Sequence, residues 1–263
     1  MTGKAYLVGA GPGRADLITV RGQSLLRTAD VVIYDRLIAH ELLAEIRPRA
    51  ERIFVGKQGH RPKTMAQGEI NALLVDRVRA GLQVVRLKGG DGFVFGRGGE
   101  ECLALAAADL PFEVVPGVSA AIAAPAYAGI PVTHRDLASA LVIATGNEDP
   151  SKEDTSVDWS HAAQLPTLVV MMGVRRVNNI CDTLLRHGRD PDSPAAAIGS
   201  ATTRQQRVIC STVAGLPQAM ARAQIRAPAV LVFGDVVTLQ DRLDWFKPDE
   251  GGAGFVLMER PIP

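Results

Sequence analysis

Short, almost wholly apolar runs, most of them ending in glycine, recur along the N-terminal half of this chain and constrain its fold more than any other feature. AYLVGAG begins at Ala5, DVVIYD at Asp30, RIFVG at Arg52, LQVVRLKGG at Leu82 and FEVVPG at Phe112. Between them lie ITVRGQSLLRTA, HELLAEI, MAQGEINALLVDRVRAG and the segment 100–108, which read as helices; in the third, apolar residues recur at about 3.6-residue spacing and Gly81 supplies a stop. A strand that is apolar along its whole length is buried on both faces. Alternating with helices, such strands predict a parallel sheet covered on both sides, an α/β fold.

After Gly117 the composition shifts. Residues 119–128 read as a helix of small residues broken by Pro125, and SALVIATG as a strand. NEDPSKEDTSVDW (147–159) carries five acids and one lysine without apolar periodicity, which predicts a solvated loop. TLVVMMG, a helix through 183–187, AAAIG, QRVICST, a helix near 217–223 and PAVLVFGDVV complete a second α/β set. The expected organisation is an N-terminal α/β domain over 1–117, a C-terminal α/β domain over 118–246 and a peripheral tail over 247–263.

At 47% hydrophobic and 22% charged residues the chain has a core-forming composition, which excludes disordered, collagenous and disulfide-stapled classes. Lys plus Arg number 29 and Asp plus Glu 28, a net charge of +1, so no global basic field advertises nucleic acid. Cys102, Cys181 and Cys210 show neither CxxC spacing nor an even count. They read as buried free thiols of a reducing compartment, and no metal-ligand set stands out. The uncharged stretch 114–133 is interrupted by Pro116, Pro125 and Pro131, so it reads as turns and short buried elements, and the N-terminus lacks a signal-peptide pattern. A soluble cytoplasmic protein is expected.

Two glycine clusters carry the chemistry. VGAGPG resembles a dinucleotide-binding loop, but Arg14 stands where GxGxxG requires its last glycine, and Pro12 removes a backbone donor. A plain tight turn, which needs no ligand, is the favoured reading. RLKGGDGFVFGRGGEE follows a strand directly and places backbone N–H groups and the Asp91 carboxylate at the sheet's C-terminal edge, where open α/β sheets bind ligands. Its spacing is not that of a phosphate-binding P-loop. From Lys57 to Arg97 there are eight Lys or Arg against three acids, with His60 alongside. Part of this is the solvated face of a helix. The remainder suits a polyanionic small molecule, with RNA weaker because aromatics are only 5%. Asp35 and Lys57 each follow a short strand, and serve either proton transfer or a simple ion pair.

Taken together, VGAGPG, DVVIYDRL, VGKQGH, RLKGGDGFVFGRGGEE, VVPGVSA, YAGIPVTHRD and LVFGDVV resemble the uroporphyrinogen-III C-methyltransferases of the tetrapyrrole methylase superfamily, over residues 5–246. The resemblance implies two α/β domains with S-adenosylmethionine in the cleft between them, and a homodimer. It implies two methyl transfers, to C2 and C7 of uroporphyrinogen III, giving precorrin-2 and S-adenosylhomocysteine. Pro12, Gly89, Gly90, Asp91, Val94, Ser119, Ala120, Met172 and Ala201 would line the cofactor site, with Ala229 near the adenine. Asp35 would be the proton acceptor, Lys57 the donor, and Arg86 would handle substrate. For the eight substrate carboxylates, Arg36, Arg61, Lys63, Arg86, Arg97 and Arg135 are the candidates. Gly92 stands where the family usually has proline. The methylase motifs begin at residue 6, so a fused dehydrogenase and chelatase segment is not expected and the reaction should stop at precorrin-2. A sibling precorrin methylase acting at another ring carbon, and an NAD-binding protein dependent on Gly11, are the alternatives.

Overall fold

The computed structural model describes residues 3–56, 65–148 and 155–248. They divide into two compact units, the first running to Ser119 and the second starting at Ala120.

The first unit is built on a five-stranded sheet in the order β3-β2-β4-β1-β5. Its strands are β1 (Lys4–Gly9), β2 (Val31–Tyr34), β3 (Glu51–Phe54), β4 (Gln83–Lys88) and β5 (Phe112–Val115). Every pairing in it is parallel, in register Lys4 with Gln83 and Ala5 with Phe112. Four helices connect them: α1 (Val20–Thr28), α2 (His40–Ala44), α3 (Gln67–Arg79) and α4 (Gly98–Ala107). Leu25 and Leu26 of α1 and Leu42 and Leu43 of α2 pack with Val8, Val32 and Leu87 on one face. Ile70, Leu74 and Val78 of α3 and Leu105 of α4 pack with Leu7, Ile33 and Val84 on the other. Each fully buried leucine or isoleucine contributes about 1.5–3 kcal/mol of transfer free energy, so both faces hold the sheet. This is the parallel sheet expected from the apolar runs. The connections leaving the adjacent strands β1 and β4 depart to opposite faces, which makes their C-terminal ends a topological switch point.

The second unit departs from the parallel pattern. Its sheet has the order β6-β7-β10-β8-β9, with β6 (Leu141–Thr145), β7 (Thr167–Met171), β8 (Pro194–Gly199), β9 (Arg207–Thr212) and β10 (Ala229–Phe233). Only β6 and β7 run parallel; β10 is antiparallel to both β7 and β8, and β8 to β9. Only a few residues separate β8 from β9, too few for a helical crossover, so the two form a hairpin-like pair. Helix α5 (Ala120–Tyr127) covers one face, and α6 (Trp159–Gln164), α7 (Val177–Arg186) and α8 (Leu216–Arg222) the other. Pro125 does not break α5: it lies inside the helix, two residues before its end. Trp245 packs against Tyr127 with the two rings tilted at 58°, and its indole N–H donates to the Ala126 carbonyl at 2.9 Å, so the chain is still anchored just before Lys247. Of the tail, residues from 249 on lie outside the described residues. Cys102 and Cys181 are buried, whereas Cys210, on the edge strand β9, is exposed, contrary to the expectation of three buried thiols. Among the described residues no helix is long and apolar enough to cross a membrane.

Candidate active site

Four strand ends meet at the C-terminal edge of the first sheet. The turn after β1 and the turn after β4 are stitched together: Ala10 N–H donates to the Lys88 carbonyl at 2.7 Å, and Gly11 and Gly90 exchange backbone bonds of 3.2 and 2.7 Å. Gly11 and Gly90 both take positive φ, +83° and +67°, where side chains are rarely accommodated. The turn after β5 closes on the same spot. A Cβ on Gly9 would lie 2.5 Å from the Gly117 Cα, and a Cβ on Gly117 would fall on the Gly90 carbonyl oxygen. Three loops approach to backbone contact, leaving a floor of main-chain groups instead of side chains.

Asp91 locks this floor. Its Oδ1 accepts from the N–H groups of Phe93 (2.8 Å) and Val94 (3.2 Å), and its Oδ2 from Gly117 N–H (2.9 Å). Both carboxylate oxygens are therefore bonded to backbone, and one side chain ties the turn after β4 to the turn after β5. Gly92 follows, with the Lys88 stem beneath it: a Cβ there would meet the Lys88 Cδ at 3.3 Å.

Asp35 stands on the neighbouring loop after β2. Its Oδ1 accepts from Leu37 N–H at 3.0 Å, and its Oδ2 lies 3.7 Å from an Arg86 guanidinium nitrogen, with the carboxylate about a quarter exposed. The Leu37 carbonyl rides over Gly89, where a Cβ would come within 2.5 Å of it. The loop carrying Asp35 is thus packed onto the glycine floor.

The strand-end cations were expected to face a ligand, and the structure corrects this. Arg86 and Lys88 are each 3% exposed and turn inward to Glu101, which is fully buried. Arg86 Nε and Lys88 Nζ both donate to Glu101 Oε1 at 3.0 Å, and an Arg86 Nη also donates to the Leu87 carbonyl at 3.0 Å. Burial holds the Lys88 ammonium below the usual lysine range, with Arg86 adding to the effect and Glu101 opposing it. Arg77, by contrast, lies on α3 and pairs with Glu51. Of the other residues in the basic stretch, Lys57, His60, Arg61 and Lys63 lie outside the described residues. Arg97 is exposed at the start of α4, in the left-handed region (φ +59°), and makes two 2.8 Å bonds to Glu100. Arg36 and, in the second unit, Arg135 are exposed.

Glu101 is the residue the sequence reading missed. The signal was available: Gly98, Glu101, Cys102 and Leu105 are the buried positions of α4, so Glu101 occupies a core-facing place in the i, i+3, i+4, i+7 pattern.

Pro12, Gly89, Gly90, Asp91, Val94 and Ser119 are all partly exposed on the first unit's turns. In the second unit, Met172 follows β7 with φ +58° and is 48% exposed. Ala201 lies between Ser200 and Thr202, both at positive φ, and Ala229 opens β10 opposite Gly199. Ala120 opens α5. A cavity of about 530 Å³ in this unit is lined by Gly129, Ile130, Pro131 and Trp245 among others, and by none of those four residues.

A doubly covered parallel sheet with a backbone-lined floor at its switch point, and an acid on the adjoining loop, defines an α/β protein built to bind a small molecule at that edge. The chain belongs to the tetrapyrrole (corrin/porphyrin) methylases, whose family model matches residues 4–217. It is 46% identical over 242 residues to an S-adenosyl-L-methionine-dependent uroporphyrinogen III methyltransferase of Methanosarcina barkeri, covering 92% of this chain and 94% of that one. It is 47% identical over 252 residues to a siroheme synthase of Chromobacterium violaceum, covering 95% of this chain but 53% of that protein. The chain thus spans about half the length of the siroheme synthases it matches. Among solved structures, the uroporphyrin-III C-methyltransferase of Thermus thermophilus complexed with S-adenosyl homocysteine superposes with a TM-score of 0.75 at 40% identity, covering 89% of this chain and 93% of that one.

Proposed function

We propose that this chain is an S-adenosylmethionine-dependent C-methyltransferase that converts uroporphyrinogen III to precorrin-2 by two methyl transfers, at C2 and C7, on the way to siroheme, cobalamin or heme d1. The observation that carries the reading is the main-chain floor at the β1/β4 switch point, pinned by Asp91, with Asp35 on the loop packed against it. The names of the full-length methanogen relative and of the Thermus structure support it.

The floor suits such a cofactor, because a nucleoside and an amino-acid moiety need close backbone approach and few charged partners. Gly89, Gly90 and Asp91, with Pro12, Val94 and Ser119, would hold it; the family resemblance also assigns Ala120, Met172, Ala201 and Ala229 to the cofactor. Bound there, the cofactor supplies an already activated methyl group. The protein's work is then alignment of a pyrrole carbon with that methyl and exclusion of water. Alkylating a ring carbon makes the pyrrole cationic, and a proton must leave; the partly exposed Asp35 carboxylate is the acceptor. Lys57 is the proposed donor. Exposed Arg36, Arg97 and Arg135, with Arg61 and Lys63, meet the substrate carboxylates. A homodimer working in the cytoplasm is part of the same reading, consistent with three free cysteines.

The deciding experiment is an anaerobic incubation with S-adenosylmethionine and freshly reduced uroporphyrinogen III, followed by mass spectrometry of the tetrapyrrole. Two added methyl groups are expected. An unmodified tetrapyrrole, from protein that still binds the cofactor, would refute the substrate and move the reading to a precorrin methylase acting at another ring carbon.

A further inference from the structure

We propose that Glu101 is a positioning residue: a fully buried carboxylate on α4 that fixes Arg86 behind Asp35 and, through Lys88, supports the turn at Gly92. The inference rests on the reading of Asp35 as the proton acceptor and extends it to groups that never touch substrate.

One oxygen carries the arrangement. Glu101 Oε1 accepts from Arg86 Nε and Lys88 Nζ at 3.0 Å each, and from Gln67 Nε2 at 3.3 Å. Arg86 then extends a second guanidinium nitrogen to 3.7 Å from Asp35 Oδ2. The cluster holds two cations, Arg86 and Lys88, and two anions, Glu101 and Asp35, so it is neutral only while both acids are ionised. Glu101 Oε2, by contrast, is buried with no hydrogen-bond partner. Such an orphan acceptor is costly, and well-packed apolar residues of similar volume commonly give equal or greater stability than a buried ionic group. Stability is therefore a poor reason for an acid at this place. Placement is a better one: only a charged hub inside the sheet–helix layer balances two buried cations and leaves Arg86 one donor for the acid at the edge. The Lys88 stem, held by the same oxygen, lies directly under Gly92, next to the turn that Asp91 ties down. Acid and floor are thus set by one buried group.

The test uses the full chain and four variants. Glu101→Gln keeps the shape and one acceptor but leaves two buried cations facing Asp35 alone; turnover is expected to fall roughly 10- to 100-fold, the scale of losing alignment. Lys88→Met combined with Glu101→Gln removes one charge of each sign and is expected to bring turnover back to within about threefold of wild type, above the single variant, which loss of packing alone would not allow. In an Asp35→Asn background, adding Glu101→Gln is expected to change kcat by less than twofold, because the Arg86–Asp35 route is already gone, while the Lys88 route to the Gly92 turn is read in cofactor affinity. Wild-type kcat in Glu101→Gln, additive losses in the Lys88→Met/Glu101→Gln pair, or a full Glu101→Gln effect on top of Asp35→Asn each overturns the assignment. So does failure of both the single and the charge-balanced variant to fold, which would make the cluster purely structural. Lysine ε-¹³C NMR reads the hub without turnover: one lysine is expected to titrate below the rest and lower still in Glu101→Gln. Wild-type protein that shows this signature but methylates nothing would fail the functional reading while leaving the hub intact.

Discussion

Replacing Asp91 by asparagine is the sharpest probe of the glycine floor. The carboxylate accepts three backbone N–H groups on two oxygens, reaching Phe93 and Val94 on one side and Gly117 on the other. An asparagine of the same shape has one accepting oxygen, so its Nδ2 must face either Gly117 N–H or the Phe93 and Val94 pair, donor against donor. At about 1.5 kcal/mol for a bond to a charged acceptor, and with the exposed Phe93 N–H rehydrated, roughly 2 kcal/mol is lost from the turn. A cofactor that needs the turn ordered must supply that energy on binding, which is about 30-fold in Kd. Thermal stability is expected to fall by about 4–8 °C. Isothermal titration with S-adenosylmethionine and a melting curve on the same protein measure both. Affinity within twofold of wild type would remove the Asp91 turn from the cofactor site; an unchanged Tm as well would refute the hydrogen-bond argument itself.

Asp35→Asn and Lys57→Ala are expected to lower turnover at least tenfold while leaving cofactor affinity within about threefold; steady-state kinetics beside titration calorimetry separate the two, and wild-type turnover in both would leave the pair without a chemical role. Gly117→Ala places a methyl against the Gly90 carbonyl and is expected to destabilise the first unit by about 2 kcal/mol or more in denaturant melts, with cofactor binding lost in parallel. Glu113 is held down to about 2 by its bonds to Arg21 and Lys4. Because its folded value lies below the unfolded one near 4.5, its contribution is present above that pH and is lost as pH falls toward 2. Glu113→Gln is therefore expected to cost about 0.5–1 kcal/mol at pH 7, a figure reduced for solvent screening, and progressively less as pH falls through 2; a difference independent of pH would disprove the ion-pair account.

Strand positions in the first unit were legible because each parallel strand is covered on both faces and so carries an unbroken apolar signature: AYLVG, VVIY and VVRLK became β1, β2 and most of β4. Chain direction was not legible. Nothing in TLVVM or AVLVF states that β7 and β10 run antiparallel, since a buried strand reads the same either way. The glycine floor was legible as composition, and its cause, three backbones in contact, appears only once Gly9, Gly90 and Gly117 meet across more than a hundred residues of chain. The charges at 86–101 misled for a related reason. A cation at a strand end reads as ligand-facing unless an acid waits inside, and Glu101 was hidden among the solvent-exposed acids its neighbours resemble.

The order β3-β2-β4-β1-β5 sets a timetable for the newly made chain. β1 lies between β4 and β5, and neither is its neighbour in sequence: Lys4 waits for Gln83, and Ala5 for Phe112. At about 5–20 residues per second of synthesis, some 110 residues take roughly 5–20 s. Through that interval β1 keeps at least one edge unpaired, both until β4 is made and the β5 edge until Phe112 follows, and an open strand edge is a template for aggregation. The Gly9–Gly90–Gly117 contact can form only at the end of it, so ligand-binding competence reports that the whole unit has closed.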